Sequence, residues 1–338
     1  MRHPHSYGSS HGLSRLFRLA YFEHSAYVPL LQRAEELWQD LEADHDSQLL
    51  YRTGSIDASP EGDALVEGSK RSCEEHDLEY DLLSSSELTD RFPGYRLPKG
   101  TRRSISPRVD FAPEECTVAH VNRAHRDGAT IRARERVVDW RPTDGGVRVE
   151  TDHGAYEADR LVITAGAWAA RFVDELEGVA VPERQVLAWL QPTEPDQFDP
   201  ERFPVWNLQV PEGGSTASPS SAFRGSSSAA TTTARRPSIQ TPSNARRHRP
   251  TSVSSGSSPR YFPTGAGPTM RLQTCLFTNT PDDHFVLDTL PDHPRSQSAR
   301  AFLATASSSP ASSARFSPTS HSRETDHDVD LFSLDRFD

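Results

Sequence analysis

The sequence predicts a mixed α/β protein, and three observations predict it. Residues 25–44 show an amphipathic helix pattern, and residues 130–158 read as successive strands separated by glycine turns. Residues 161–164 form a wholly apolar strand that runs through small residues into a second helical pattern. In the first stretch Val28, Leu30, Leu31, Ala34, Leu37, Trp38 and Leu41 recur at three-and-four spacing, with Glu35, Glu36 and Asp40 opposite. Pro29 suits the first turn, where no backbone donor is needed. A second helix is expected over 116–126, ended by Asp127-Gly128. Strands are expected over 130–138, 147–151 and 155–158, with Asp144-Gly145-Gly146 and His153-Gly154 as turns, giving an antiparallel meander. Leu161-Val162-Ile163-Thr164 lacks alternation, as a strand buried on both faces does. It ends in Ala165-Gly166-Ala167-Trp168, and a helical pattern follows over 169–176. Strand, small-residue turn and helix is how an α/β sheet brings its backbone close to a nucleotide, although a plain strand-to-helix turn reads the same way. Strand character resumes over 184–190 and 203–210.

Composition limits what the chain does. Its 338 residues suit two domains or one large one. Hydrophobic content is 34%, and the deficit lies in two windows, 214–260 and 295–323, rich in Ser, Thr, Pro and Arg and without Asp or Glu. Such sequence buries too little apolar surface to offset its ordering entropy, so both windows are expected to be disordered. The net charge of -11 argues against nucleic-acid binding, and no aromatics interleave the arginines of 235–249. Cys73, Cys116 and Cys275 have no paired spacing, which argues against a disulfide framework or zinc site. His284 follows Asp282 and Asp283, but no further ligands converge on it in sequence, so no metal is expected. No apolar run is long enough to span a membrane and residues 1–6 hold no signal core, so a cytoplasmic protein is expected.

Several stretches then accumulate into a family. Gly8-Ser9-Ser10-His11-Gly12-Leu13-Ser14-Arg15-Leu16-Phe17-Arg18 resembles the flavin-contacting segment of the monomeric sarcosine oxidase and N-methyltryptophan oxidase family, FAD-dependent amine oxidases of the D-amino-acid-oxidase-like superfamily. Residues 161–168 are similar to that family's second flavin-contacting turn, and Arg184-Gln185-Val186 to a following strand. Cys275 and its surroundings, 274–288, resemble the stretch that holds covalently bound FAD, and 328–337 the closing segment. The match is collinear over 6–213, 261–294 and 324–338; the shared order, more than any one motif, carries the resemblance.

The resemblance implies a two-domain flavoprotein. A doubly wound sheet would hold FAD and a larger antiparallel sheet would cover the substrate, the two interleaved within 1–213. Residues 261–294 would be the covalent-flavin segment and 324–338 the C-terminal segment. A monomer acting on a small amino acid and oxygen is implied, without nucleic-acid or membrane partners. Hydride from the secondary amine of an N-methyl amino acid would pass to the flavin, oxygen would become hydrogen peroxide, and the imine would hydrolyse to formaldehyde.

Residue roles follow from the same resemblance. Cys275 would form a thioether to the flavin as a thiolate, with Arg15 the candidate cation beside it. Arg18 would pair with the substrate carboxylate through its planar fork. Arg15 would lie near the flavin ring and His11 at its edge, joined in contacting the cofactor by Ser9, Ser10, Ala165, Gly166 and Trp168. Val137 would touch the adenine end. Plainer readings stand beside these: a buried structural cysteine, solvent-facing arginines, a satisfied histidine, and a core tryptophan at Trp168. Phe277 stands where the family often has a tyrosine, which predicts a more apolar substrate or a different pose.

Three departures bear on activity. No Gly-x-Gly-x-x-Gly occurs, so the sequence is expected to start just past the family's βαβ unit, whose helix N-terminus cradles a pyrophosphate. Codons for 215–234, read out of frame, permit a strand like the family's with an oxygen-activating lysine and a nearby histidine. The same offset over 300–320 permits a flavin-binding glycine turn, a second lysine and a helix, with frame regained by Glu324. Composition gives no reason for family motifs in a shifted frame, so the windows read as frame-disrupted rather than as natural linkers. The alternative function is therefore a non-catalytic remnant that does not hold FAD.

Overall fold

A computed structural model describes residues 8–11, 15–97, 101–106, 108–111, 113–210, 213–217, 258–290, 301–305 and 330–337. Strand β1 (Arg15–Arg18) leads to helix α1 (Tyr27–His45). α1 buries Tyr27, Val28, Leu31, Ala34, Trp38 and Leu41, the stripe its spacing predicts, and stops where Asp46 turns left-handed at φ 53°. There follow β2 (Leu50–Tyr51), β3 (Ser55–Pro60), α2 (Ala64–Glu75), β4 (Asp81–Leu82), α3 (Ser85–Arg91), β5 (Thr101–Ser106), β6 (Arg108–Phe111) and α4 (Pro113–Arg126). Asp63 caps α2 by accepting from the Leu65 N–H at 2.9 Å, and Ser84 with Glu87 forms a capping box on α3. Next come β7 (Val137–Thr143), β8 (Gly146–Thr151), β9 (Ala155–Ala158), β10 (Leu161–Ile163), β11 (Val181–Leu190), β12 (Val205–Val210) and β13 (Gly213–Ala217). β14 (Thr269–Asn279), β15 (Val286–Thr289), β16 (Ala301–Thr305) and two short 3-10 turns over Asp330–Phe337 complete the described chain.

The mixed α/β class is as the sequence predicts. One sheet runs β13-β12-β3-β5-β4, with β3 and β12 parallel; another runs β10-β16-β15, with β10 and β16 parallel. β1-β6-β2 and the ribbon β11-β14 are antiparallel, as is the expected meander β7-β8-β9, whose Thr143 and Gly146 face each other across Asp144-Gly145. No helix among the described residues is long and apolar enough to cross a membrane.

Four local expectations are corrected. The first meander strand starts at Val137, not at residue 130: Arg134 sits at φ 61°, and a left-handed residue breaks a ladder. Residues 169–176 form 3-10 turns, Gly166–Arg171 and Asp174–Leu176, because Val173 is extended between them. β10 is an edge strand of its described sheet, with Val162 51% exposed, so it is not buried on both faces. Its apolar run reports what the strand tolerates, not which neighbours it has. The two Ser-rich windows lie mostly outside the described residues, yet 214–217 belong to β13 and 301–305 form β16, paired on both sides by β10 and β15. Ladder hydrogen bonds order these pieces irrespective of the composition around them.

Period-two alternation gives the β11–β14 ribbon two different faces. Ala188 and Leu190 join the core built on Ile56, Phe198, Phe203, Trp206 and Phe262. Leu187 and Trp189 pack instead with Cys275 and Phe277 on the other face. A separate core gathers α1, α4 and β1 with Phe285 and Phe332.

α2 presses on the segment after β1. Ser72 Oγ donates to the Tyr21 carbonyl, Ser69 Oγ donates to Asp57 at 2.6 Å, and a Cβ on Gly68 would strike the Phe22 carbonyl oxygen. Gly68→Ala gains about 1 kcal/mol of helix propensity. Displacing a backbone carbonyl costs about 1–3 kcal/mol. The expected outcome is a lower urea midpoint with an unchanged slope; an equal or higher midpoint contradicts the tight packing.

Candidate active site

β1 and the strand that carries Cys275 are joined through Ser9. Arg15 Nη2 donates to the Ser9 carbonyl at 3.0 Å, and Ser9 Oγ donates to the Leu276 carbonyl on β14. Gly8 brings this segment against Trp168: a Cβ there would lie 3.8 Å from the indole. The turn that holds Trp168, Gly166–Arg171, packs on β14. Gly166 itself is left-handed, φ 52°, and faces open space. The segment of Ser9 and Arg15 and the turn that holds Gly166 and Trp168 therefore both lie against β14, the strand that carries Cys275. His11 is buried, Ser10 is exposed, and Ala165 precedes the turn half-buried. Val137 is 39% exposed at the start of β7, and no hydrogen bond or ring contact among the described residues joins it to this group.

Cys275 is 1% exposed. Burial pushes its thiol above the ordinary value, and the Arg15 guanidinium pulls in the opposite direction. Arg15 is thus the cation that favours a thiolate here, against a desolvation cost that outweighs it.

Arg18 lies on the opposite side of β1 from Arg15, in a buried pocket of its own. Its Nη2 meets Glu23 Oε1 at 2.9 Å, and its guanidinium lies 4.4 Å from the Tyr21 ring centre and 5.1 Å from that of Phe22. Burial pushes the Glu23 carboxyl upward and Arg18 holds it down. The pair is incompletely satisfied: Arg18 Nη1 and Glu23 Oε2 are buried with no hydrogen-bond partner among the described residues. Buried charged groups of this kind are costly unless a ligand completes them.

The loop after β14 is clasped by the C-terminal segment. Arg336 reaches Asp282 with Nε at 2.7 Å and Nη2 at 3.3 Å, while Asp288 accepts from Leu334 N at 2.7 Å. His284 Nδ1 lies 3.3 Å from the Tyr27 hydroxyl, which ties the same loop to α1. Burial alone would raise the Asp282 carboxyl, but hydrogen bonds from Arg336 and the His284 N–H, with the Arg336 charge, take it from 3.8 to about 2. A depressed carboxyl adds stability at pH above its unfolded value and loses it as pH falls through the folded one. Asp282→Asn is therefore expected to lower Tm at pH 7, with the difference from wild type closing between pH 4 and pH 2. A difference that stays constant with pH rules out the ion pair as its source.

Sequence reasoning passed over two side chains that the fold brings forward. Glu23 carries no motif, and its partnership with Arg18 follows only from the turn after β1. Gln273 lies two residues before Cys275 on β14, opposite Leu187, so strand periodicity places it on the cysteine's face. Its Oε1 is buried without a hydrogen-bond partner among the described residues.

Both the sequence and the fold are similar to those of known proteins. The sequence matches the family described as FAD dependent oxidoreductase over residues 2–313. It is 33% identical over 298 residues to the monomeric sarcosine oxidase of Streptomyces avermitilis, covering 86% of this chain and 77% of that one. It is 29% identical over 301 residues to the N-methyl-L-tryptophan oxidase of Salmonella dublin, covering 86% and 78%. Among solved structures, L-proline dehydrogenase from P. horikoshii shares the fold with a TM-score of 0.75 at 16% identity, over 98% of this chain and 88% of that one.

Proposed function

The chain belongs to the FAD dependent oxidoreductase family, and we propose that it oxidises the C–N bond of a secondary amine such as sarcosine or another N-methyl amino acid, with oxygen as acceptor and hydrogen peroxide as product. The observation that carries this reading is that the segment of Ser9 and Arg15 and the turn of Trp168 both lie against β14, the strand of Cys275, with Arg18 buried on the far side of β1. These residues fit a flavin ring. Arg15 supplies a cation, Gly166 leaves open space for an approaching group, and a thiol lies beside them. Bound FAD supplies the two-electron acceptor that no amino-acid side chain provides.

The chain's own residues do the rest. Cys275 would hold the cofactor covalently, favoured as a thiolate by Arg15. Arg15 also balances negative charge near the ring. Arg18 takes the substrate carboxylate on its open Nη1, which orients the amine. Ser9, Ser10, His11, Ala165, Gly166 and Trp168 would line the cofactor, and Val137 would serve its adenine end. Phe277, packed beside Cys275 where the family often has tyrosine, favours an apolar substrate surface. The protein acts as a monomer on a small amino acid.

Two measurements test this. Purified protein is expected to be yellow, and sarcosine or N-methyl-L-tryptophan is expected to drive oxygen uptake with peroxide formation. Colourless protein that releases no flavin on denaturation replaces this reading with the non-catalytic remnant.

A further inference from the structure

Arg18 and Glu23 do not share their pocket alone. Asp57 on β3 is 1% exposed and accepts a hydrogen bond from Ser69 Oγ at 2.6 Å. One turn further along α2, Ser72 Oγ donates to the Tyr21 carbonyl, and Gly68 packs against the carbonyl of Phe22. Residues three apart share a helix face, so α2 sets Asp57 beside the turn that carries Glu23. The charge of Asp57 is felt by both members of the pair. Burial disfavours the Arg18 cation, and Glu23, Tyr21 and Asp57 outweigh that cost. Burial pushes the Glu23 carboxyl up, Arg18 draws it down, and Asp57 adds to the rise. Tyr27 on α1 also feels Glu23, while α2 presents the uncharged hydroxyls of Ser69 and Ser72. One guanidinium therefore serves two carboxylates.

A ligand carboxylate arriving at Arg18 Nη1 brings a third negative charge to that single cation. Where water is shut out, an excess anion takes up a proton rather than stay charged. Glu23 has the atom for it: Oε2 is buried without a hydrogen-bond partner among the described residues, as is Arg18 Nη1. We propose that Asp57 is a positioning residue that makes carboxylate binding at Arg18 draw one proton from solvent onto Glu23 Oε2. This rests on the carboxylate-binding role given to Arg18 above. The O–H bond formed at Oε2 takes its proton from water or buffer, and no other covalent bond changes. A neutral Glu23 loosens its hold on Nη2, so the guanidinium presents both ends of its fork to the ligand.

The test titrates furan-2-carboxylate, ionised throughout pH 5–8, into full-length protein. Calorimetry in two buffers of different ionisation enthalpy counts the protons taken up with it, independent of turnover. Wild type is expected to take up about one proton per ligand in mid-range, where affinity falls by up to about tenfold per pH unit. Uptake fades at low pH, where Glu23 is already neutral, and at high pH, where it stays ionised beside the ligand. Glu23→Gln is expected to bind without proton uptake and with an affinity that does not change with pH. Asp57→Asn keeps an acceptor for Ser69 and loses the charge. It is expected to tighten the ligand about three- to tenfold at pH 8 and to move the uptake to lower pH. A purely structural role for Asp57 leaves that pH profile in place. Binding to wild type without proton uptake, uptake that persists in Glu23→Gln, or an unmoved profile in Asp57→Asn overturns the proposal and leaves the amine-oxidising reading standing. Failure of wild type to bind furan-2-carboxylate at any pH defeats the role of Arg18 in that reading, and this proposal with it.

Discussion

Replacing Arg18 by methionine is expected to destabilise the protein by about 3–5 kcal/mol and to weaken carboxylate ligands by one to two orders of magnitude. The first effect comes from Glu23, left buried without its counter-ion at 2.9 Å. The second is the loss of a charge-assisted hydrogen bond of about 1.5–3 kcal/mol. The two effects separate with pH. Burial already pushes Glu23 upward against the pull of Arg18. Without Arg18 its folded-state pKa rises further above the unfolded value, so the penalty is full at high pH and shrinks as pH falls towards about 4. Glu23→Gln added to Arg18→Met is expected to recover much of the stability and none of the carboxylate affinity. Denaturant midpoints from pH 5 to pH 8, with ligand titrations of the same variants, measure both. If the single variant loses equal stability at every pH, the buried-charge account is wrong.

Cys275→Ala is expected to convert acid-resistant flavin into flavin that is wholly released by acid precipitation. Its stability cost is small, about 1 kcal/mol for a lost sulfur atom. Attachment needs the thiolate, and burial holds the thiol above its ordinary value while Arg15 opposes it. Covalent loading of flavin-free protein is therefore expected to speed up as pH rises. Arg15→Met, which removes the charge that opposes burial in that balance, is expected to shift the loading profile to higher pH. Acid-released flavin in the wild type, or a loading profile unmoved by Arg15→Met, removes Cys275 as the tether.

Much of this fold is legible in local sequence because local physics determines it. α1 follows from the spacing of Val28, Leu31, Ala34, Trp38 and Leu41, and the meander from its glycine turns. What failed was decided elsewhere. Val162 lies on an edge strand, which no run of apolar residues discloses. The start of β7 was misread because Arg134 adopts a left-handed conformation that its residue type does not announce. β16 arose inside a window whose composition argued against structure, held by strands from either side.

The sequence by itself determined the family, the mixed α/β class and Ser9, Arg15, Arg18 and Cys275 as candidates, because each belongs to a short run whose order along the chain is informative. Only the tertiary structure decided that the segment of Ser9 and Arg15 and the turn of Trp168 lie against β14, the strand of Cys275, and that Arg18 faces away from them into a pair with Glu23. It alone shows the Gln273 side-chain oxygen buried without a hydrogen-bond partner among the described residues. The reason is physical: periodicity fixes which side of a strand a residue occupies, but burial and partnership depend on segments far away in sequence.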